Sequence, residues 1–175
     1  MTKQTWRNRI VGHGEMPASE FLANPLNWRI HPQFQQEAMA GALNEIGWID
    51  EVTVNKNTGR IVDGHLRVTL ALRAGDRTPV PYREVDLTEE EEALALATKD
   101  PIAALAVTDN AQYLALLEGV TSGEAALQTL LDQVAGMVPL DLVDLSLGDT
   151  PAVGSDDREE ETHVCPKCGF EFVKA

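Results

Sequence analysis

Residues 63–67 read Asp63-Gly64-His65-Leu66-Arg67, which sets a carboxylate, an imidazole and a guanidinium around one glycine. Glycine lets the backbone approach a ligand closely. The unpaired N–H groups of a helix start favour an anion, and an arginine in the first turn grips phosphate oxygens through two donors. The chemistry this points to is recognition of an oxyanion, most simply a nucleotide phosphate. Asp63 and His65 are the candidate catalytic groups. Either could move a proton, and Asp63 could hold Mg²⁺. The same set could serve phosphoryl transfer or metal-assisted phosphodiester cleavage, with His65 protonating the leaving group. The plain structural alternative is that Gly64 turns the chain, His65 caps the helix and Arg67 pairs with a surface carboxylate. Neither the phosphate loop of ATPases nor the three-glycine dinucleotide fingerprint occurs.

A second group lies in His163-Val164-Cys165-Pro166-Lys167-Cys168-Gly169. The Cys-Pro-x-Cys-Gly turn aims two thiolates at one ion, as in a zinc knuckle. His163, Cys165 and Cys168 are the local candidate Zn²⁺ ligands. The fourth would come from water, another residue or a second copy. Two cysteines with two residues between them suit a metal better than a disulfide framework.

The elements that must carry these groups emerge from pattern. Residues 1–14 read as a flexible or edge arm, basic through Lys3, Arg7 and Arg9, with Gly12 and Gly14 as breaks. A proline-bounded loop covers 24–32. Ala38, Met39, Ala42, Leu43 and Ile46 fall at helical spacing, which predicts a helix over 33–46 that Gly47 stops. Strands are predicted at 52–54 and 60–62 around the turn Asn57-Thr58-Gly59, then a helix over 65–74 and a strand over 79–85. Thr88 with Glu91 has capping-box spacing and opens a helix to about Lys99. Two more helices start at Thr108-Asp109 and at Thr121 with Glu124, and end near Gly119 and before Gly136. The last three, rich in Ala and Leu, are expected to pack on one another.

With 175 residues and 43% hydrophobic content, the chain allows one domain of ordinary size and a tail. A net charge of −14 argues against coating nucleic acid by bulk attraction. The charge is uneven: Asp141, Asp144, Asp149, Asp156, Asp157, Glu159, Glu160 and Glu161 stand against Arg158 alone in an acidic linker. No apolar run is long enough for a bilayer, and the first residues lack a signal-peptide core, so a cytoplasmic protein without a membrane partner is expected.

The loop Asn24-Pro25-Leu26-Asn27-Trp28-Arg29, a helix ending Glu45-Ile46-Gly47-Trp48, the strand–turn–strand, the segment 63–67 and the run Ala95–Ile102 together resemble the ParB/sulfiredoxin superfamily. The likeness is greatest to the stand-alone ParB-like domains of phages and mobile elements, often labelled ParB-like nucleases. It covers about residues 15–107. It implies an α/β (α+β) fold: a small mixed sheet with helices around a nucleotide site, followed here by a helical extension over 108–136, the linker over 137–161 and a zinc-knuckle-like tail over 162–175. In that family the first-loop arginine and the Gly-x-x-Arg segment surround phosphates. These fall on Arg29, Gly64 and Arg67, with His65 between, and Gly47-Trp48-Ile49 would lie near base or sugar. Trp28 and Trp48 equally suit ordinary packing.

Members include CTP-binding DNA clamps, a small-molecule kinase and a sulfinic-acid reductase. The clamps carry Gly-Glu-Arg-Arg where this chain has Gly64-His65-Leu66-Arg67, and no cysteine lies near for the reductase reaction. The expectation is a nucleotide-binding protein that uses a tri- or diphosphate of the CTP or ATP class with Mg²⁺. It would act on or beside DNA, as a homodimer, in the cytoplasm of a host if phage-encoded. Kinase-like phosphoryl transfer onto a base or a small-molecule hydroxyl comes first. A nucleotide-gated DNA adaptor without turnover and a metal-dependent nuclease are the alternatives.

Overall fold

A computed structural model describes residues 5–137 and the backbone of 162–164 and 171–173. The chain divides into two compact units, Met1–Pro139 and Leu140–Ala175.

The first unit holds β1 (Ile10–Pro17), a 3₁₀ turn (Ala18–Glu20), α1 (Gln33–Glu45), β2 (Val52–Asn55), β3 (Ile61–Asp63), α2 (His65–Ala74), β4 (Pro79–Val85), α3 (Glu89–Ala104), α4 (Asn110–Glu118) and α5 (Ala125–Met137). The sheet order is β1-β4-β2-β3. β1 and β4 are antiparallel, β2 and β4 parallel, and β2 and β3 antiparallel. This is the small mixed sheet with helices that the sequence leads one to expect.

β2 is buried along its whole length, and its alternation serves two layers. Val52 and Val54 join Ile61, Val80, Val68 and Ala71 in the core, with Phe21 packed edge-on to Tyr82 beside them. On the opposite face Asn55 meets Glu92 of α3. α2 therefore covers one side of the sheet, and α3 stands over the other at the β2–β3 end.

Three expectations change. Gly12 and Gly14 do not break the arm: residues 10–14 are an edge strand, one of the two courses read for them, in which Gly12 pairs with Glu84 and Gly14 with Tyr82, whose side chains fill the space a Cβ would take. Arg9 is spent on Glu91, with Nη1 at 2.9 Å from Oε1, and on the Asp86 carbonyl. α3 opens on the expected capping box, Glu91 N–H donating to Thr88 Oγ1 at 3.2 Å and Thr88 N–H to Glu91 Oε2 at 2.9 Å. It does not stop at Lys99 but runs through Pro101 to Ala104. Proline removes one helical hydrogen bond, and here the helix continues past that loss. Finally, α5 packs on α1 rather than only on its neighbours in sequence. Gly41 of α1 is the contact, where a Cβ would lie 3.0 Å from Glu124 Cβ and 3.2 Å from Leu127 Cβ.

The second unit contains β5 (Thr162–Val164) and β6 (Glu171–Val173), paired antiparallel with His163 opposite Phe172. Their connection in sequence carries both cysteines. The acidic linker beyond Met137, Cys165, Cys168 and the side chain of His163 lie outside the described residues. Among the described residues no helix is long and apolar enough to cross a membrane.

Candidate functional site

β3 ends at Asp63, and the chain must turn directly into α2. Gly64 makes the turn at φ +98°, the left-handed region that side chains avoid. It is pressed against β2, where a Cβ would meet Val52 Cγ2 at 3.0 Å and Val52 Cα at 3.2 Å. The glycine is thus required by backbone packing as well as by conformation. Among the described residues the N–H groups of His65, Leu66 and Arg67 receive no protein acceptor. They are the free donors that every helix start presents.

This turn opens onto a cleft of about 150 Å³. Its walls are the loop bearing Asn27, Trp28, Arg29 and His31, the junction 62–67, and the face of α3 with Leu96, Lys99 and Asp100. The structure brings Arg29, Asp63, Gly64, His65 and Arg67 together. It does not bring Gly47, Trp48 or Ile49 to the cleft. Gly47 turns the chain after α1 at φ +86°, Trp48 packs on the core and faces a separate apolar groove between α1 and α2, and Ile49 is exposed.

Every cation of the cleft is already paired. Arg29 Nε lies 2.6 Å from Asp100 Oδ2, and its guanidinium sits 5.4 Å from the Trp28 ring centroid. Lys99 Nζ binds Asp63 Oδ2. Arg67 Nη1 donates to Asp50 Oδ2 at 2.9 Å, and Nη2 stands 3.4 Å from both Asp63 Oδ2 and the Glu51 carbonyl. Its side chain is only 15% exposed, and Nε is buried with no partner among the described residues. Arg67 therefore lines the cleft and pins α2 to the start of β2 at once.

Burial pushes the Asp63 carboxyl up. The hydrogen bond and charge of Lys99, the charge of Arg67 and the Gly64 N–H outweigh it and hold the group below the usual carboxylate range. Asp63 is ionised at neutral pH and a weak base while so paired. Burial lowers the His65 imidazole, Asp63 opposes this and His31 adds to it, for a net fall. His65 Nε2 accepts the Asn24 N–H at 3.3 Å, so the ring is neutral with its proton on Nδ1. It does not cap the helix: Gly64 is the N-cap, without a side-chain cap.

Sequence reading missed Lys99 and the roles of Asp50 and Asp100. Helical spacing from the Thr88 cap was the available signal, since Glu92, Leu96, Lys99 and Asp100 then fall on one face. Among the described residues no three His, Cys, Asp or Glu gather to hold a metal. Asp63 and Asp100 are the cleft carboxylates that could accompany Mg²⁺, which commonly takes one or two carboxylates plus substrate phosphates. Both are now committed to cations.

The layered arrangement is the ParB type of mixed α+β fold. It matches the crystal structure of the C-terminally truncated chromosome-partitioning protein ParB from Caulobacter crescentus, complexed with CTP-gamma-S, with a TM-score of 0.51 and 20% identity. The match covers 62% of this chain and 62% of that one, so this chain spans about three fifths of the protein it matches. A Pnob8-like ParB-N domain also aligns, with a TM-score of 0.45 and 16% identity over 75% of this chain and 49% of that one. No protein-family model and no curated protein matches the sequence.

Proposed function

We propose that the chain binds a nucleoside triphosphate of the CTP or ATP class in this cleft, its phosphates meeting Arg29, Lys99, Arg67 and the first turn of α2. The observation that carries the reading is the convergence of three cations on a helix start with free N–H groups. The CTP analogue in the ParB structure of the same fold supports it. Phosphates would take over Arg29 from Asp100 and Lys99 from Asp63. The cleft's volume of about 150 Å³ fits a phosphate cluster, below the roughly 300–1,000 Å³ of a full ligand pocket. Parting these pairs is therefore part of admitting a whole nucleotide.

The bound nucleotide has two possible fates. Kinase-like transfer needs a base at the acceptor hydroxyl, and Asp63 becomes one only when Lys99 leaves it for phosphate. Use of the nucleotide as a gate without turnover needs no such base, and the paired Asp63 and the engaged His65 Nε2 favour it. A nuclease would need carboxylates free for metal, and both cleft carboxylates, Asp63 and Asp100, are paired. Action on or beside DNA, a second copy of the chain and Zn²⁺ in the tail belong to the proposal through the family likeness and the Cys165/Cys168 spacing.

Calorimetric titration with the four ribonucleoside triphosphates and Mg²⁺ tests this. One or more should bind, and Arg29→Ala and Lys99→Ala should each weaken binding about tenfold or more, the size of one lost charge-assisted contact. Phosphate release, measured with and without acceptor, separates transfer from gating. No binding of any triphosphate by the native chain would end the proposal.

A further inference from the structure

α3 grips the loop before α1 at three levels. Glu92 Oε1 accepts from Asn24 Nδ2 at 2.7 Å, the Leu96 carbonyl accepts from Trp28 Nε1 at 3.1 Å, and Asp100 holds Arg29. These three sit four residues apart, so each is one turn further along the same helix face. The uppermost grip differs from the others in its burial. Glu92 is 1% exposed and Asn24 4%. The second oxygen of Glu92 accepts from Asn55 Nδ2 and Thr58 Oγ1, both at 2.6 Å.

Asn24 then relays this fixed point. Its N–H donates to His65 Nε2 at 3.3 Å, its Oδ1 accepts the Leu26 N–H at 3.0 Å, and its carbonyl accepts the Asn27 N–H at 3.0 Å. The loop is otherwise free of regular hydrogen-bond ladders, so its course to Arg29 depends on such side-chain bonds. A buried carboxylate is costly unless fully bonded. Oε2 takes both hydrogen bonds from the β2–β3 hairpin, and the hydrogen bond of Oε1 is given to the loop, with Arg60 Nη1 standing 4.0 Å from it.

We propose that Glu92 is a positioning residue of the cleft, which acts through Asn24 to set the loop that presents Arg29 and to keep His65 Nε2 a hydrogen-bond acceptor. This rests on the nucleotide-binding reading for its affinity readout, and it has an independent readout in the His65 ring. Glu92 itself touches no ligand.

The test exchanges the two partners. Asn24→Asp alone sets two carboxylates against each other. Glu92→Gln alone sets an amide where a carboxylate took three donors. The double variant N24D/E92Q restores a donor–acceptor pair: the glutamine amide faces the aspartate, and its carbonyl still accepts from Asn55 and Thr58. Titration with Mg²⁺ and the triphosphate that binds the native chain should show each single variant weaker by about tenfold or more, with the double variant back at native affinity. Thr58→Ala, which cuts a bond on the hairpin side, should lower the melting temperature and leave affinity unchanged. ¹⁵N NMR of His65 should show unprotonated Nε2 in the native chain and the double variant, and protonation shared with Nε2 in each single variant. Asn24→Ser replaces N24D if that variant does not fold.

Native affinity in N24D (or N24S) with an unchanged His65 tautomer overturns the proposal, and so does a double variant that recovers neither readout. If the native chain binds no triphosphate, the nucleotide reading fails by itself. The tautomer then decides, and an unchanged ring in the single variants removes the positioning role.

Discussion

Glu92 shows how an acidic side chain can be both buried and ionised. Burial pushes its carboxyl up, and hydrogen bonds from Thr58, Asn55 and Asn24 with the charge of Arg60 hold it below the usual range. A depressed folded value means the contribution to stability is complete above the ordinary carboxylate range. It is lost as pH falls from there through the folded value. Urea denaturation at a series of pH values should therefore show an acid limb that flattens in Glu92→Gln, with the variant about 1–3 kcal/mol less stable at neutral pH. An acid limb of unchanged slope would assign the ionised network to other groups. At this scale the sequence displayed the junction well. Asp63, Gly64, His65 and Arg67 are neighbours in the chain, so their spacing alone placed them together. Arg29 came through the family resemblance. Lys99, Asp50 and Asn24 reach the same place from other elements, and pairing across a fold leaves little local mark. Gly47-Trp48-Ile49, expected at the base or sugar, lie away from the cleft because Trp48 turns into the core.

The helices divide the labour. α2 offers its start to the cleft, α3 braces the loop opposite, and α1 carries α5 on the face that holds Gly41. The α1–α5 contact depends on a bare backbone at Gly41. Gly41→Leu would force extra volume into it and should cost about 1–3 kcal/mol, read as a lower denaturation midpoint. A neutral result would mean that α5 moves aside freely. Element order was legible because the stop and start signals were strong: Gly47 and the Thr88–Glu91 box each mark a boundary. The course of α3 was not. Proline reads as a terminator, and the bonds that α3 makes to the loop at Leu96 and Asp100, just before Pro101, are tertiary. The partner of α5 was equally hidden, since an Ala- and Leu-rich face does not say which apolar surface it will meet.

Over the whole chain, three basic cleft residues work against a net charge of −14. An anionic ligand is repelled at long range and attracted at contact. The Debye length shortens from roughly 30 Å at 0.01 M salt to about 8 Å at 0.15 M, so salt should remove the distant repulsion before the local attraction. Stopped-flow mixing should find the association rate for a triphosphate rising between those two salt concentrations. A falling rate would show that the cleft's own field reaches further than the overall charge.

The pairing of Arg29 with Asp100 and of Lys99 with Asp63 also says something about the resting molecule. The basic groups of the cleft are masked by carboxylates of the same chain, so a polyanion brushing past this cleft would meet charge that is already paired. On the proposed reading a compact ligand that meets several of them together would displace both masks, and its departure would let the surface heal.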